Sequence, residues 1–283
     1  MHLLDIEGLS EQRILELFDM ARRLKSGGCG KPLSGKDFVL FFPEASLRTR
    51  ITFEKGIGEL GGRCILFPPE TLDKREAPQD VIRYLEKWAD GIVVRHPDLS
   101  KLRELASFSA IPVINAMTSA NHPCEILSDL FSLSELRQDY RDLVYAFVGP
   151  AGNIARSWVE AARVLDLRLK HICTEDNRLD DDHRNYSFST DLETALKGVD
   201  VVLTDSLPTV LCNNEYIHRY QITLERMRMA NPGSLLNSCP PFFRGEEVSR
   251  EVIDSEFFVG YSFKRNLIYV QQAVILSSLG IQI

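Results

Sequence analysis

Two hydroxyls and two guanidiniums fall within five consecutive residues, Ser46, Leu47, Arg48, Thr49 and Arg50. They follow an apolar run at 38–42 and open a segment at 51–57 whose apolar spacing predicts a helix. Arginine matches phosphate oxygens with paired hydrogen bonds, and a helix N-terminus adds free amides and a positive dipole end. The pattern therefore predicts a phosphate cradle. An ordinary serine N-cap followed by two solvated arginines is the alternative that this pentapeptide leaves open.

The composition favours a protein that acts on small molecules. With 283 residues the chain exceeds the usual size of a single core, which predicts two domains. Its formal net charge of -7 argues against nucleic-acid and anionic-membrane partners, although a local basic pocket remains compatible with it. The first residues lack the features of a leader and no long apolar window occurs, so we expect a cytoplasmic protein without membrane segments.

The cysteines and histidines do not form a recognisable metal pattern. Six cysteines lie far apart without a C-x-x-C pair, and six histidines show no ligand spacing. We therefore expect reduced thiols, no metal ion and no cofactor.

Strand-like and helical segments alternate along the chain. Strands are predicted at 38–42, 64–67, 91–95, 112–115, 143–148, 169–173, 199–204 and 234–237. Helices are predicted at 10–25, 52–60, 79–88, 100–107, 125–137, 154–164 and 266–279. This alternation predicts an α/β fold of two doubly wound parallel-sheet domains, linked by the long helix and the C-terminal helix. A charged turn at 138–142 marks the domain junction.

Polar residues follow several predicted strands, where open α/β sheets bind ligands. They are Arg95, His122, Asp205 and Cys239. Taken singly, each has an alternative role as a helix cap or a buried core residue. Their joint order is harder to attribute to structure alone.

The order of these motifs resembles the aspartate and ornithine carbamoyltransferase family over almost the whole chain. The matching pieces are S-x-R-T-R at 46–50, K-R-E at 74–76, R-H-P at 95–97, H-P-x-E-x-L-x-D-L at 122–130 and R-G-E-E-V at 244–248. The resemblance implies a carbamoyl-phosphate-binding domain at 1–137 with the helix 266–283, and an amino-acid-binding domain at 138–265. It also implies a homotrimer with active sites shared between subunits.

The resemblance further assigns roles to individual residues. For carbamoyl phosphate it implies Ser46, Leu47, Arg48, Thr49, Arg50, Lys74, Arg75, Arg95, His122, Glu125 and Pro240, with Lys74 or Arg75 reaching in from a neighbouring subunit. For the amino acid it implies Asn153, Asp205, Thr209, Val210 and Cys239. The catalytic set is Arg48, Thr49, Arg95, His122 and Cys239. A cis peptide between Pro240 and Pro241 is implied as well.

Three positions favour the ornithine branch, and with it arginine biosynthesis. Asn153 stands where that branch places an asparagine for the α-groups of the amino acid. Asp205 matches an aspartate for the α-amino group, and Cys239 matches a cysteine near the attacking amine. A neutral amide at 153 suits a diamino acid better than the arginine of the aspartate branch.

Four departures leave the acceptor open among ornithine, a shorter diamino acid and a diamine. Glu125 replaces the glutamine of the family, and at ~6 Å from a phosphate and an effective dielectric of ~20 its repulsion is about 3 kcal/mol unless it is protonated or paired. Thr209-Val210-Leu211 replaces S-M-G, Ser238 replaces a histidine, and Leu267 replaces an arginine.

Two other classes of function remain open. Gly149-Pro150-Ala151-Gly152 follows a predicted strand, with Glu175 and Asp176 near the end of the next one, which is a partial dinucleotide-binding pattern. It lacks the full G-x-G-x-x-G and leaves the first-half motifs unexplained. The departures at Glu125, Ser238 and Leu267 are also compatible with a non-catalytic structural or regulatory subunit.

Overall fold

The chain folds as two units, each built around one parallel sheet. The computed structural model describes residues 1–283. Unit 1 comprises Met1–Ser132 and Arg265–Ile283, and unit 2 comprises Leu133–Lys264. The prediction of two doubly wound α/β domains is confirmed, because every strand pair in both sheets is parallel.

Four strands form the sheet of unit 1 in the order β2-β1-β3-β4. They are β1 (Asp37–Phe41), β2 (Arg63–Phe67), β3 (Gly91–Arg95) and β4 (Val113–Met117). The three adjoining strands β1, β3 and β4 are almost continuously buried, as expected when helices cover both faces of a parallel sheet. The edge strand β2 alternates between exposed and half-buried residues.

Five helices accompany this sheet: α1 (Glu11–Ser26), α2 (Arg48–Glu59), α3 (Pro78–Leu85), α4 (Leu99–Phe108) and α5 (Pro123–Leu136). Helix α1 begins after Ser10, whose hydroxyl caps the amide of Arg13. Helix α5 runs from unit 1 into unit 2.

Five strands form the sheet of unit 2 in the order β7-β6-β5-β8-β9. They are β5 (Val144–Val148), β6 (Arg168–Ile172), β7 (Tyr186–Ser189), β8 (Val201–Thr204) and β9 (Leu235–Ser238). The chain moves outward from β5 to β7 and then returns to the other side of β5. The switch point of this sheet therefore lies between β5 and β8, where a crevice for a ligand is expected.

The helices of unit 2 are α6 (Asn153–Leu165), α7 (Leu192–Ala195), α8 (Asn214–Tyr220), α9 (Leu224–Met227), α10 (Arg250–Ile253) and α11 (Gly260–Lys264). The sequence patterns did not predict β7 or the helices α7 to α11. Each has only four to seven residues, which is too short for a helical or strand period to be read.

The last helix, α12 (Leu267–Ser278), packs against α1 and α2 inside unit 1. It crosses α2 closely at Gly56, where an added Cβ would lie 3.2 Å from Gln272 Cγ and 3.3 Å from Ile268 Cγ1. Gln272 Nε2 donates to the Gly56 carbonyl over 3.0 Å. Helix α2, which carries the predicted cradle, is therefore fixed by the last helix of the chain.

Three general features complete the description. The Pro240–Pro241 peptide is cis, as the resemblance implies. All six cysteines are free thiols. None of the helices combines the length and apolarity needed to cross a bilayer.

Candidate active site

The carboxyl ends of three neighbouring strands in unit 1 carry the predicted phosphate cradle. β1 pairs with β3 and β3 with β4, all in parallel, so the segments that follow them leave the sheet at one edge. The segment after β1 leads into α2, Arg95 ends β3, and the turn after β4 leads to His122. The parallel register thus brings three parts of the predicted site to one edge.

Ser46 and Arg95 are in direct contact at this edge. Arg95 donates from Nη1 to Ser46 Oγ over 3.0 Å. A register shift between Val94 and Arg95 marks a local irregularity, of the kind that re-aims a side chain at the end of a strand. Helix α2 begins at Arg48 without a side-chain cap. The N-cap alternative for Ser46 is therefore wrong, because its hydroxyl binds a guanidinium instead of a helix amide.

The edge is positively charged and only partly solvated. Burial lowers the pKa of Arg95, but an arginine remains ionised in proteins. Ser46 is 4% exposed and Thr49 is 5% exposed, so both hydroxyls lie inside unit 1. The first amides of α2 have no acceptor within their own helix, and they lie at the positive end of its dipole. A phosphate group fits this combination of cation, hydroxyls and free amides.

The other residues at the start of α2 differ in their surroundings. Leu47 is 62% exposed, and Arg48 is also exposed. Arg50 pairs with Glu54 on the same helix, with Nε 2.6 Å from Oε1. Of the two guanidiniums in the motif, only that of Arg48 is outside an ion pair.

Lys74 and Arg75 lie apart from this cluster. They follow a 3₁₀ turn at Pro69–Asp73 and are exposed. Asp73, at the end of that turn, pairs with Lys101 and lies 3.1 Å from Nε2 of His96. The segment before Lys74 is therefore tied to the residue after Arg95. No contact within the chain joins either basic side chain to the cradle.

A buried amide network shapes the turn before α5. Asn115 Nδ2 donates to Asn121 Oδ1 over 2.7 Å, and Thr118 Oγ1 donates to the same oxygen over 2.9 Å. His122 and Glu125 follow this turn and are each 6% exposed. Glu125 lies in the first turn of α5, where the helix dipole stabilises a negative charge. The glutamate that replaces the family's glutamine is thus an interior residue.

The predicted acceptor residues meet at the switch point of unit 2. Cys239 N donates to the Thr204 carbonyl over 2.9 Å, which places the start of the 239–241 turn beside the end of β8. Asp205 follows Thr204, and its Oδ2 lies 3.9 Å from where a Cβ on Gly152 would be. Asp205 therefore lies beside the backbone that leads directly into Asn153. The structure brings Asn153, Asp205 and Cys239 to one edge.

The remaining acceptor positions are less enclosed. Thr209 and Val210 lie in an exposed 3₁₀ turn, and Val210 is 79% exposed. Pro240 is half-buried. Ser238, which replaces the family's histidine, is buried and accepts a hydrogen bond from Thr204 Oγ1 over 2.7 Å. Leu267 is likewise buried, within α12.

Glu247 belongs to the same region and was not predicted. It is 3% exposed, its Oε1 accepts from the Phe243 amide over 2.7 Å, and its Oε2 has no hydrogen-bond partner. Burial, with smaller contributions from the negative charges of Glu246 and Asp205, raises the pKa of Glu247 to about 7. The R-G-E-E-V motif was visible in the sequence, but it does not indicate which glutamate is buried.

The loop between β5 and α6 does not support the dinucleotide-binding alternative. Gly149 N donates to the Ile172 carbonyl over 3.1 Å, and Gly152 N donates to the Pro150 carbonyl over 2.7 Å. Ala151 N donates to Asn177 Oδ1 over 3.0 Å. These amides would have to be available for a pyrophosphate, but each already has an acceptor.

The fold and the two edges define a class of enzyme. Unit 1 presents an anion-binding edge, and unit 2 presents a carboxylate and a thiol, which suit an amine. No group of three or more His, Cys, Asp or Glu side chains is arranged to hold a metal ion. Each unit thus carries groups of the kind that a group transferase for a phosphate compound and an amine requires.

Two models of one protein family match this chain, one in each half. The carbamoyl-P binding domain of aspartate/ornithine carbamoyltransferase matches residues 1–135, and the Asp/Orn binding domain matches residues 141–278. The chain therefore belongs to the aspartate/ornithine carbamoyltransferase family, and it is a carbamoyltransferase.

Full-length relatives and solved structures agree with this assignment. An ornithine carbamoyltransferase of Chromobacterium violaceum is 33% identical, with 97% of this chain and 95% of that protein covered. One of Akkermansia muciniphila is 34% identical, with coverage of 97% and 96%. The crystal structure of ornithine carbamoyltransferase from Burkholderia thailandensis superposes with a TM-score of 0.89 at 30% identity, covering 98% of each chain. The Pyrococcus furiosus enzyme gives 0.91 at 26% identity, covering 99% of this chain and 97% of that one.

The ionisation of Glu247 leads to a prediction about stability. Because its folded pKa of about 7 is above the ordinary value of 4.5, its stabilising contribution is complete below pH 4.5 and lost as the pH rises through 7. Glu247→Gln cannot ionise at this position. We therefore expect its free energy of unfolding, relative to that of wild type, to rise by at most about 3 kcal/mol between pH 4.5 and pH 8. Urea unfolding followed by tryptophan fluorescence measures this difference, because Trp158 is buried in unit 2 whereas Trp88 is already exposed.

Glu256→Gln is the matched control, because Glu256 is an exposed glutamate of the same unit. Its stability should follow the wild-type pH curve. If the free energies of unfolding of Glu247→Gln and wild type change with pH in parallel, the pKa of the Glu247 carboxyl is not raised by folding.

Proposed function

We propose that this protein transfers the carbamoyl group of carbamoyl phosphate to the side-chain amine of ornithine, giving a ureido product and phosphate. The observation that carries the proposal is the contact of Arg95 with Ser46 beside the N-terminus of α2. The choice of ornithine is supported by relatives of that name that align with nearly the whole chain. It is also supported by the position of Asp205 beside the backbone that leads to Asn153.

In this proposal the cradle of unit 1 holds the leaving phosphate. Ser46, Arg48, Thr49 and Arg95 contact its oxygens, together with the first amides of α2. The same groups stabilise the charge that the phosphate gains as the bond between carbon and oxygen breaks. Arg50 has a smaller part, because Glu54 already binds its guanidinium.

Arg48, Thr49 and His122 polarise the carbonyl oxygen of the carbamoyl group. Negative charge develops on this oxygen in the tetrahedral transition state, so positioned donors accelerate the reaction. Glu125 accepts a hydrogen bond from the carbamoyl NH₂. Its burial at the start of α5 favours a specific role over a solvated one.

The acceptor must present a neutral amine, because a protonated one has no lone pair for attack. A side-chain amine has an ordinary pKa near 10.4, so the site has to bind or generate the minor form. Cys239 and Asp205 orient the amino acid, Asn153 binds its α-groups, and Thr209 and Val210 line its approach. The amine forms the new bond to carbon, and the departing phosphate accepts the proton.

The reaction is tested by phosphate release from carbamoyl phosphate, with mass detection of the ureido product. Ornithine, shorter diamino acids, diamines and aspartate form the acceptor panel, and ornithine should give the fastest release. Arg95→Leu should weaken carbamoyl phosphate binding on the order of a hundredfold, because it removes a charged contact to phosphate. Arg83→Leu is the matched control, since Arg83 is exposed on α3.

The outcomes separate the alternatives. Fastest release with a diamine or a shorter diamino acid would replace ornithine as the acceptor. Binding of carbamoyl phosphate without release for any acceptor would favour a non-catalytic subunit.

Glu125 gives an independent prediction. If its carboxylate is ionised near the phosphate, Glu125→Gln should tighten carbamoyl phosphate binding by up to about a hundredfold. Isothermal titration calorimetry measures the affinity. Glu135→Gln is the control, because Glu135 is exposed on the same helix about 15 Å away along its axis. Loss of turnover in Glu125→Gln at unchanged affinity would instead assign Glu125 a positive catalytic role.

We also propose that the protein is a homotrimer. Unit 1 exposes apolar side chains at the start of α2 and on the edge strand β2, namely Leu47 (62%), which precedes α2, Ile51 (51%), Ile65 (42%) and Phe67 (41%). An exposed apolar edge strand is a usual site of association. Light scattering should give the mass of three 32.1-kDa chains. Phe67→Asp should lower this mass, whereas Phe108→Asp on α4 should not. A wild-type protein with the mass of one chain would refute the trimer.

The setting that we propose is arginine biosynthesis in the cytoplasm. A role in arginine biosynthesis requires the conversion of ornithine to its ureido product, which is the reaction proposed above. Six cysteines, none of them in a disulfide, fit a reducing compartment.

A further inference from the structure

The loop that leads to Asn153 is held by side chains from the neighbouring strand and the turn after it. His171, in β6, has its Nε2 2.9 Å from the Gly149 carbonyl oxygen. Asn177, in the 3₁₀ turn Glu175–Asn177, accepts from the Ala151 amide over 3.0 Å. The two contacts fix one carbonyl and one amide of a four-residue loop.

The hydrogen bonds determine which nitrogen of His171 carries the proton. A carbonyl oxygen can only accept, so Nε2 must be the donor to Gly149. In the neutral ring Nδ1 is then an acceptor, and it takes the hydroxyl of Tyr186 at 3.0 Å. The Tyr186 oxygen in turn accepts from the Leu179 amide over 3.0 Å. A directed series of three hydrogen bonds therefore runs from Leu179 to the loop.

The surroundings of His171 keep the ring neutral and in place. The side chain is 1% exposed, and its ring contacts Phe147 and Phe188 edge-on at centroid distances of 5.8 Å and 5.3 Å. Burial lowers the pKa of His171 to about 4. The donor at Nε2 and the acceptor at Nδ1 are thus both maintained at neutral pH.

Within the loop one hydrogen bond is formed, from the Gly152 amide to the Pro150 carbonyl over 2.7 Å, and the Gly149 carbonyl depends on His171. Gly149 adopts a φ of 154°, which glycine accommodates more easily than other residues. At its other end, Gly152 is close enough to Asp205 that an added Cβ would lie 3.9 Å from Oδ2. A shift of the loop would therefore move Asn153 relative to Asp205, the two residues assigned to the acceptor.

We propose that His171 is a positioning residue for the acceptor amino acid. It acts through the Gly149 carbonyl, with Tyr186 fixing its tautomer and Asn177 holding the adjacent amide. The inference rests on the proposed function, because it assigns the 149–152 loop to acceptor binding. A purely structural role in the core of unit 2 would lower stability without changing acceptor recognition selectively.

The test compares steady-state constants for the two substrates. His171→Leu removes the donor to Gly149 and should raise the KM for ornithine about tenfold, because one buried hydrogen bond that orders the loop is lost. Carbamoyl phosphate affinity, measured by calorimetry, should not change, since all of its assigned residues except Pro240 lie in unit 1. His171→Gln supplies an amide donor for the Gly149 carbonyl and should restore the KM for ornithine most of the way to the wild-type value. His218→Leu, an exposed histidine on α8, is the matched control.

A second variant and a spectroscopic measurement keep the test decisive. Asn177→Ala removes the half-buried acceptor of the Ala151 amide and should raise the ornithine KM in the same direction if His171→Leu fails to fold. Side-chain ¹⁵N NMR of the wild type should show His171 as the neutral Nε2–H tautomer from pH 5.5 to 8. A charged ring or the opposite tautomer in that range would overturn the proposal.

The remaining outcomes are distinguishable. Wild-type turnover with an unchanged ornithine KM in folded His171→Leu would overturn the positioning role alone. Equal weakening of both substrates, together with a lower melting temperature, would assign His171 to stability only. Absence of turnover in the wild type with every acceptor would overturn the proposed function itself.

Discussion

A half-buried guanidinium with a neutral partner is the constraint on which the first unit depends. Arg95 contacts the Ser46 hydroxyl, and no carboxylate forms an ion pair with it. Removing a cation from water without an opposite charge is unfavourable, so the surrounding fold must sustain that cost. The parallel pairing of β1, β3 and β4 holds the segments that follow these strands at one edge of the sheet, around the cation. An anion that binds there supplies the charge that folding leaves uncompensated.

In unit 2 the buried ionisable groups favour their neutral forms, in contrast to the charged Arg95 of unit 1. Burial drives both His171 and Glu247 toward their neutral forms. Their effects on stability have opposite signs between about pH 4.5 and 6.5, because the histidine disfavours the fold as acid is added and the glutamate favours it. The two dependences offset each other in the wild type. Asp205, by comparison, lies half-buried at the switch point of the same unit.

Much of this organisation could be predicted from the residues alone. The buried strands and long helices have apolar runs or helical spacing of sufficient length, and the predicted segments agree with them to within a few residues. Placing Arg95, His122, Asp205 and Cys239 at strand ends required only the rule that ligands lie at those ends. By contrast, β7 and the helices α7 to α11 are too short to show a hydrophobic periodicity in the sequence. The roles of Ser46, Glu247 and His171 depend on which atoms they meet after folding, and their residue types do not specify this.

The path of the chain also determines when each part of the molecule can form. Unit 1 is assembled from two segments, and residues 133–264 lie between them in the sequence. A ribosome therefore synthesises all of unit 2 before it synthesises α12, the helix that crosses α2 at Gly56. Domains generally fold in the order in which they emerge, but here α2 of the N-terminal unit lacks its contact with α12 until the residues of unit 2 have been synthesised. The packing of α2 is therefore completed after unit 2 has been synthesised, although α2 is among the first helices to be translated.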